Sequence, residues 1–341
     1  MTVNWDVVLT DSPPGTEWDY GGYPYGLEPL TLPPADCPDV VPTGRRSGDH
    51  DDEGIAARRL IGLVRSEGGL GGAVAPCRDD EQLYGFRWIT GHQASFIIWW
   101  LTAQLLGQVG RGEVAPGDAA SPLAGYIRAY CALLLYSGSC SPDVYDAVIR
   151  PSMRLRHPSF SGSWAADYAP LRALFRGGPL PIGDVPGSAD VRDAVRLQQA
   201  IHDGIAAKLV PDGESLLRRS PVRRTQPQLR SLIYDNYFMT LRAPVSREAV
   251  GAQLLRRVVA IAQDVAIQGI DPVASMEPGV SPEDELPVEL CVDEVTELRR
   301  SFSDVLARSA AYAARSAPEV LPDQSGHGTR GHEARAAEVA S

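Results

Sequence analysis

The stretch WITGHQASFIIWWLTAQLLGQV, residues 88–109, decides the fold. It is strongly apolar over about six helical turns. Working outward, residues 123–136 are apolar with small side chains between. Residues 190–210, DVRDAVRLQQAIHDGIAAKLV, place Val191, Val195, Gln198, Ile201, Ile205 and Leu209 near one stripe. Residues 247–267 do the same with Val250, Leu254, Val258, Ile261 and Val265. Residues 292–315 read as a further helix bearing Glu294, Glu297, Arg299 and Arg300. These are i, i+3, i+4 patterns, the signature of amphipathic helices and not of strand alternation. Residues 231–240 read equally well as strand or helix. No strand–helix alternation recurs and no internal repeat is visible, so the expected class is all-α.

The rest of the chain bounds this reading. With 341 residues, 44% hydrophobic and 22% charged, it can bury a large core, which excludes a disulfide scaffold or a wholly disordered chain. The net charge of −11 excludes a global basic footprint for nucleic acid. No run of about 18 apolar residues occurs, so no membrane span is expected. The first residues, MTVNWDVVLTDSPPG, show no basic segment leading into an apolar one, so no secretory signal is expected. The five cysteines (Cys37, Cys77, Cys131, Cys140, Cys291) are odd in number and form no CxxC, which fits reduced thiols and a cytoplasmic location.

Residues 1–50 hold eight prolines, and proline favours extended chain, so this segment is expected to be an arm of little regular structure. Its aromatic stretch from Trp18 to Tyr25 argues that the arm packs on the body or on a partner subunit. Residues 316–341 lack an apolar period and read as a disordered tail, with His327 and His332 solvated in it. The helical body is therefore expected over residues 51–315.

No GxGxxG after a strand, Walker A, HExxH or GxSxG occurs, so most standard enzyme readings lack support. Three histidines lie in the body. His92 shares a helix face with Trp88, Phe96 and Trp99. It reads either as a core histidine bonded to a carbonyl or as a proton-transfer group over an aromatic-lined pocket. His202 shares a face with Val195, Gln198, Ile205, Ala206 and Leu209, with small residues following at once. It reads either as a core histidine or as an iron ligand beside a surface flat enough for a planar cofactor. His157 precedes a proline, so it belongs to a turn and is read as a loop histidine making local hydrogen bonds. Arg218, Arg219, Arg223 and Arg224 crowd seven residues of an acidic protein. They form either a solvated basic loop, a subunit salt bridge or a partner for an anionic ligand. Tyr234, Asn236 and Tyr237 follow and read as core packing or as polar contacts to a ligand.

A family resemblance sharpens these alternatives. Trp88-Ile89-Thr90-Gly91-His92-Gln93-Ala94 followed by Trp99-Trp100 resembles the distal-histidine helix of the tryptophan 2,3-dioxygenases, and Ile201-His202-Asp203-Gly204 resembles their proximal-histidine helix. The Glu-Leu-Trp element that follows His-Gln in that family is Phe96-Ile97-Ile98 here. A sister group matches more closely, the heme-dependent L-tyrosine 3-hydroxylases of actinomycete natural-product pathways. The residues that carry this likeness are Ile149-Arg150-Pro151-Ser152-Met153 and His157-Pro158-Ser159-Phe160-Ser161-Gly162-Ser163-Trp164-Ala165. One relative in that group holds heme covalently through His-x-x-x-Cys. Ala206 stands at the cysteine's place here, so the resemblance implies non-covalent heme b.

The resemblance covers residues 80–245 and implies a tryptophan-dioxygenase-like helical bundle. It implies hydroxylation of L-tyrosine, or a ring-substituted tyrosine, to L-DOPA with hydrogen peroxide. His92 would be the catalytic acid–base and His202 the iron ligand, with Arg218, Arg219 and Arg223 toward the heme propionates. Trp88, Phe96, Ser163, Trp164, Arg224, Tyr234 and Asn236 would face the amino-acid substrate. A homodimer or homotetramer is expected. The alternatives are an indole amino-acid dioxygenase or monooxygenase using molecular oxygen, and a non-catalytic heme or small-molecule binder.

Overall fold

Three long helices packed side by side and a fourth laid against the first form the body of the computed structural model, which describes residues 29–34, 80–210, 216, 226–270, 297, 298, 301, 305, 306 and 309. They are α1 (Asp80–Gly110), α2 (Pro116–Ser137), α4 (Ser188–Leu209) and α6 (Arg247–Gln268). Between α2 and α4 lie a short helix over Pro142–Val144, a π-helical turn over Tyr145–Ile149, α3 (Arg150–Arg156) and three 3₁₀ turns. The segment that read as strand or helix resolves into both: α5 spans Pro227–Tyr237 and β2 spans Thr240–Arg242. β2 pairs in parallel with β1 (Leu30–Leu32), Leu30 opposite Thr240. This short pair aside, the described chain is mostly helical, as its periodicity implies.

The helix boundaries follow local chemistry. Asp80 and Glu81 sit in the first turn of α1, where the helix dipole favours negative charge. Pro116 opens α2, where its missing N–H costs nothing. α3 stops at His157, in extended conformation, because Pro158 disfavours a helical residue before it. Ser246 caps α6 by accepting a hydrogen bond from the amide of Ala249 at 3.2 Å.

Pairs along the helices give their directions. Trp99 meets Tyr130, and Gly91 meets Tyr136 and Ser137, so α1 and α2 run antiparallel. Arg128 pairs with Asp190, and Gly138 abuts Ile205, so α2 and α4 run parallel. α6 runs antiparallel to α1, with Gln93 on Arg257 and Arg87 on Asp264. That last contact is a buried network. Arg87 Nε and Nη2 donate to the two Asp264 oxygens at 2.7 and 3.0 Å, and the Tyr136 hydroxyl donates to the same carboxylate at 2.7 Å. It ties three helices, and removing one partner would strand a buried charge at a cost of about 3–5 kcal/mol.

Candidate functional site

Between Gly85 and Thr102 every side of α1 is buried, with two exceptions: Trp88 and His92 are only half-buried. They stand one turn apart on one face. The helix can come this close to α2 because residue 91 is glycine. A Cβ there would lie 2.9 Å from the Cβ of Ser137.

The His92 ring is held on several sides. It stacks on Phe238, centroids 4.6 Å apart and planes 17° apart. Trp88 leans on it at 4.3 Å, and Phe96 presents an edge at 6.4 Å. Trp88 in turn meets Tyr145, on the π-helical turn, at 5.9 Å. His92 Nδ1 lies 2.6 Å from the carbonyl oxygen of Trp88. A carbonyl only accepts, so Nδ1 carries the proton and Nε2 keeps a bare lone pair. Among the described residues nothing hydrogen-bonds to Nε2. Burial pushes the imidazole pKa down to about 4, against the opposing pull of the Trp88 carbonyl. His92 is therefore a neutral base at neutral pH. Burial pushes the Tyr145 phenol up to about 12, so it stays a neutral hydroxyl.

Phe238 reaches His92 through the end of α5. The chain leaves that helix by a left-handed residue, Met239, with φ of 49°. Gln93 Nε2 donates to the carbonyl of Phe238 at 2.8 Å, and the amide of Leu30 donates to the carbonyl of Met239 at 3.0 Å. Tyr237 stands beside Phe238 at 4.7 Å, half-buried, with its hydroxyl 2.8 Å from Ser152 Oγ.

His202 is set differently. The stripe on α4 is buried at Val191, Val195 and Gln198, but one turn on, the His202 side chain is 60% exposed. Ile201 and Gly204 turn inward in its place, so the expectation of a shared apolar face with Leu209 fails at His202. Ala206, one turn further, is exposed as well. His202 Nδ1 lies 3.3 Å from Asp203 Oδ1. One turn before it, Gln198 Oε1 is buried without a hydrogen-bond partner. Because Gly91 abuts Ser137 and Gly138 abuts Ile205, the two histidines stand at the same height of α2.

The remaining predicted residues divide three ways. Phe96, Trp164 and Tyr234 are buried in an aromatic core that backs the His92 face: Phe96 packs on Trp99, Tyr234 and Phe238, and Tyr234 stacks on Phe160 at 5.3 Å. Trp164 packs on Phe160 and His157, with Arg230 over its ring. Ser163 and Asn236 are exposed. Arg218, Arg219, Arg223 and Arg224 lie outside the described residues, as do the arm's aromatic stretch and the tail. His157 is a loop histidine with local bonds, as expected: its Nδ1 accepts from the amide of Ser159 at 3.1 Å. Three residues around the His92 site escaped the sequence reading as site residues: Phe238, on the ring itself, Tyr145, against Trp88, and Gln93, on the Phe238 carbonyl. Only Gln93 carried a signal, as the partner of His92 in the His-Gln pair.

Fold and site thus define a helical protein with a neutral, base-ready histidine set among aromatic rings. Residues 65–180, about a third of the chain and including His92, match the family model described as SfmD 3-methyl-L-tyrosine peroxygenase. The match makes this segment similar to a peroxygenase domain and supports an oxidoreductase reading. The match ends before His202. No curated protein matches the chain. No helix among the described residues is long and apolar enough to cross a membrane, and no group of histidine, cysteine or acidic side chains among them is arranged to hold a metal ion.

Proposed function

We propose that this protein is a heme-dependent peroxygenase that hydroxylates L-tyrosine, or a ring-substituted tyrosine, at the carbon beside the phenol oxygen. The observation that carries this reading is His92: a neutral imidazole with a bare Nε2, walled by aromatic rings, inside a segment that matches a tyrosine peroxygenase family. In the overall reaction one peroxide oxygen enters the ring and the other leaves as water.

The residues present fit a heme. His202 offers an exposed imidazole, with the short side chain of Ala206 one turn on. Gln198 Oε1 and Trp88 Nε1 are buried polar atoms without partners, close in sequence to the two histidines. His202 would hold the iron, with Asp203 beside its other ring nitrogen to orient the imidazole. When bound, the heme supplies the redox chemistry that splits the O–O bond.

The chain's own groups do the rest. His92 Nε2 takes a proton from hydrogen peroxide and returns it to the oxygen that departs. A charged imidazolium is disfavoured among these rings, which favours giving the proton on to the departing oxygen. Trp88, Tyr145 and Phe238 exclude water from that transfer and give an aromatic substrate faces to pack on. The described cysteines, Cys131 and Cys140, are buried, and burial raises both thiol pKa values, that of Cys140 to about 11. With Ala206 after His202, the heme is held without a covalent bond, as heme b.

The test is product analysis with L-tyrosine, 3-methyl-L-tyrosine and L-tryptophan, each with peroxide and with oxygen alone. A catechol from a tyrosine, formed only with peroxide and carrying its oxygen label, is expected. An oxidised indole formed with oxygen alone would contradict the reading.

A further inference from the structure

The mechanism above uses His92 but gives no role to its neighbour, Gln93, which is 1% exposed in the core. Its amide spans two elements. Nε2 donates to the Phe238 carbonyl at 2.8 Å, and Oε1 accepts from Arg257 Nε at 3.0 Å. Arg257 is itself fixed, donating through Nη1 to the carbonyl of Gln253 at 3.0 Å. Gln253 in turn bonds both ways with the backbone of Thr31, accepting at 2.7 Å and donating at 2.9 Å. Thr31 lies in β1, whose Leu30 amide holds the Met239 carbonyl. The chain of bonds closes on itself around residues 238 and 239. It holds Met239 in a left-handed conformation that few non-glycine residues adopt. What it presents to the site is the flat face of Phe238 against His92.

We propose that Gln93 is a positioning residue for His92, acting through Phe238: its amide fixes the turn after α5 so that the Phe238 ring clamps the imidazole. The residue must donate at one end and accept at the other, at full length. A glutamine does this at neutral pH; a glutamate has no proton to donate, and an asparagine is one methylene too short. This inference rests on His92 being the catalytic base, but its structural half stands without that.

The test is Gln93→Asn, with Phe238→Leu as a second variant that removes the stacked ring and leaves the amide in place. The readout is NMR of the purified protein, its heme held in the diamagnetic ferrous carbon monoxide form, labelled with ¹³C,¹⁵N-histidine, the His92 signal being assigned by its loss in His92→Asn. In the parent, ring protons of His92 should be shifted upfield by Phe238, and the signal should not titrate between pH 8 and 5. In both variants the signal should move downfield and begin to titrate above pH 5. Phe238→Tyr, which keeps the ring, should retain the parental signal. Turnover should fall ~10-fold or more with little change in KM, the effect of a misplaced reacting group. A folded Gln93→Asn protein with the parental His92 signal would overturn the proposal. So would Phe238→Leu with that signal unchanged, which decides the matter if Gln93→Asn does not fold. If His92→Asn keeps full activity while the NMR changes occur, the catalytic reading fails and the clamp stands.

Discussion

His92 and His202 stand at the same height of α2 in opposite settings. His92 is ringed by Trp88, Phe96 and Phe238, and its Nδ1 is committed to a backbone carbonyl. His202 projects from α4 with most of its side chain in solvent and one acidic neighbour. The physical consequences differ accordingly. An imidazole held among apolar rings with Nδ1 on a carbonyl is kept neutral, which leaves Nε2 as the one ring nitrogen that can accept a proton. An accessible imidazole next to a short side chain suits a group whose bonding partner comes from outside the chain. On the proposed reading one residue type takes two roles, in one case ringed by aromatic side chains and in the other facing solvent.

The comparison is broken most severely at His202. His202→Ala should leave α4 intact, because the imidazole packs on little, yet should abolish heme binding and the Soret band. An unchanged Soret band would remove His202 from the account. In the parent the heme should pass into acidic organic solvent; heme left on the denatured chain would show a covalent bond. His92→Ala, by contrast, should keep its heme.

The enclosed site should also leave a mark on stability. The unfolded chain binds a proton on His92 near the ordinary value of 6.5, whereas the folded one binds it only near 4. As pH falls through this window the unfolded state gains protons that the folded state refuses, so stability declines below 6.5 and levels off below 4. The loss is roughly 3 kcal/mol at the low end. Chemical denaturation of His92→Gln should lack that part of the decline. An identical pH dependence in parent and variant would show that His92 is not enclosed as described.

The smallest effects sharpen the comparison through two glycines. At Gly91 a methyl group would meet the Cβ of Ser137 and the ring of Tyr136 at 2.9 and 3.2 Å. Gly91→Ala should cost about 1–3 kcal/mol by overpacking and should disturb the adjacent His92. At Gly138 a methyl would meet Cγ2 and Cδ1 of the β-branched Ile205 at 2.8 and 2.9 Å and the backbone carbonyl of Leu134 at 3.0 Å. Gly138→Ala should cost a similar amount, about 1–3 kcal/mol, but leave the environment of His92 alone. Thermal melts with near-ultraviolet circular dichroism separate the two.

Much of this was legible in the sequence. The period of residues 190–210 and 247–267 marked α4 and α6: α4 has one face buried and one exposed, and the stripe Val250, Leu254, Val258 and Ile261 of α6 is buried. Residues 88–109 announced a helix, but not that its middle is closed on nearly every side, since an apolar run does not say how many neighbours it has. Trp88 and His92 shared a face by spacing alone. Phe238 did not join them in the sequence, because its approach depends on hydrogen bonds to Gln93, 145 residues away, and on a left-handed Met239. His202 was read onto the buried stripe because spacing places it there. The stripe opens at that height because Ile201 and Gly204 take over the inward face of α4. Tyr145 was hidden by the π-helical turn, which no periodicity reveals.

The central claim is that His92 moves a proton during peroxide activation while contributing nothing to holding the heme. Its most direct test is the steady-state rate of peroxide-driven tyrosine hydroxylation by folded, heme-replete His92→Asn, which keeps a polar side chain but cannot cycle a proton near neutral pH. The account predicts a fall in kcat of ~10²-fold or more, with heme content and melting temperature near those of the parent. Turnover at the parental rate by that variant would contradict it.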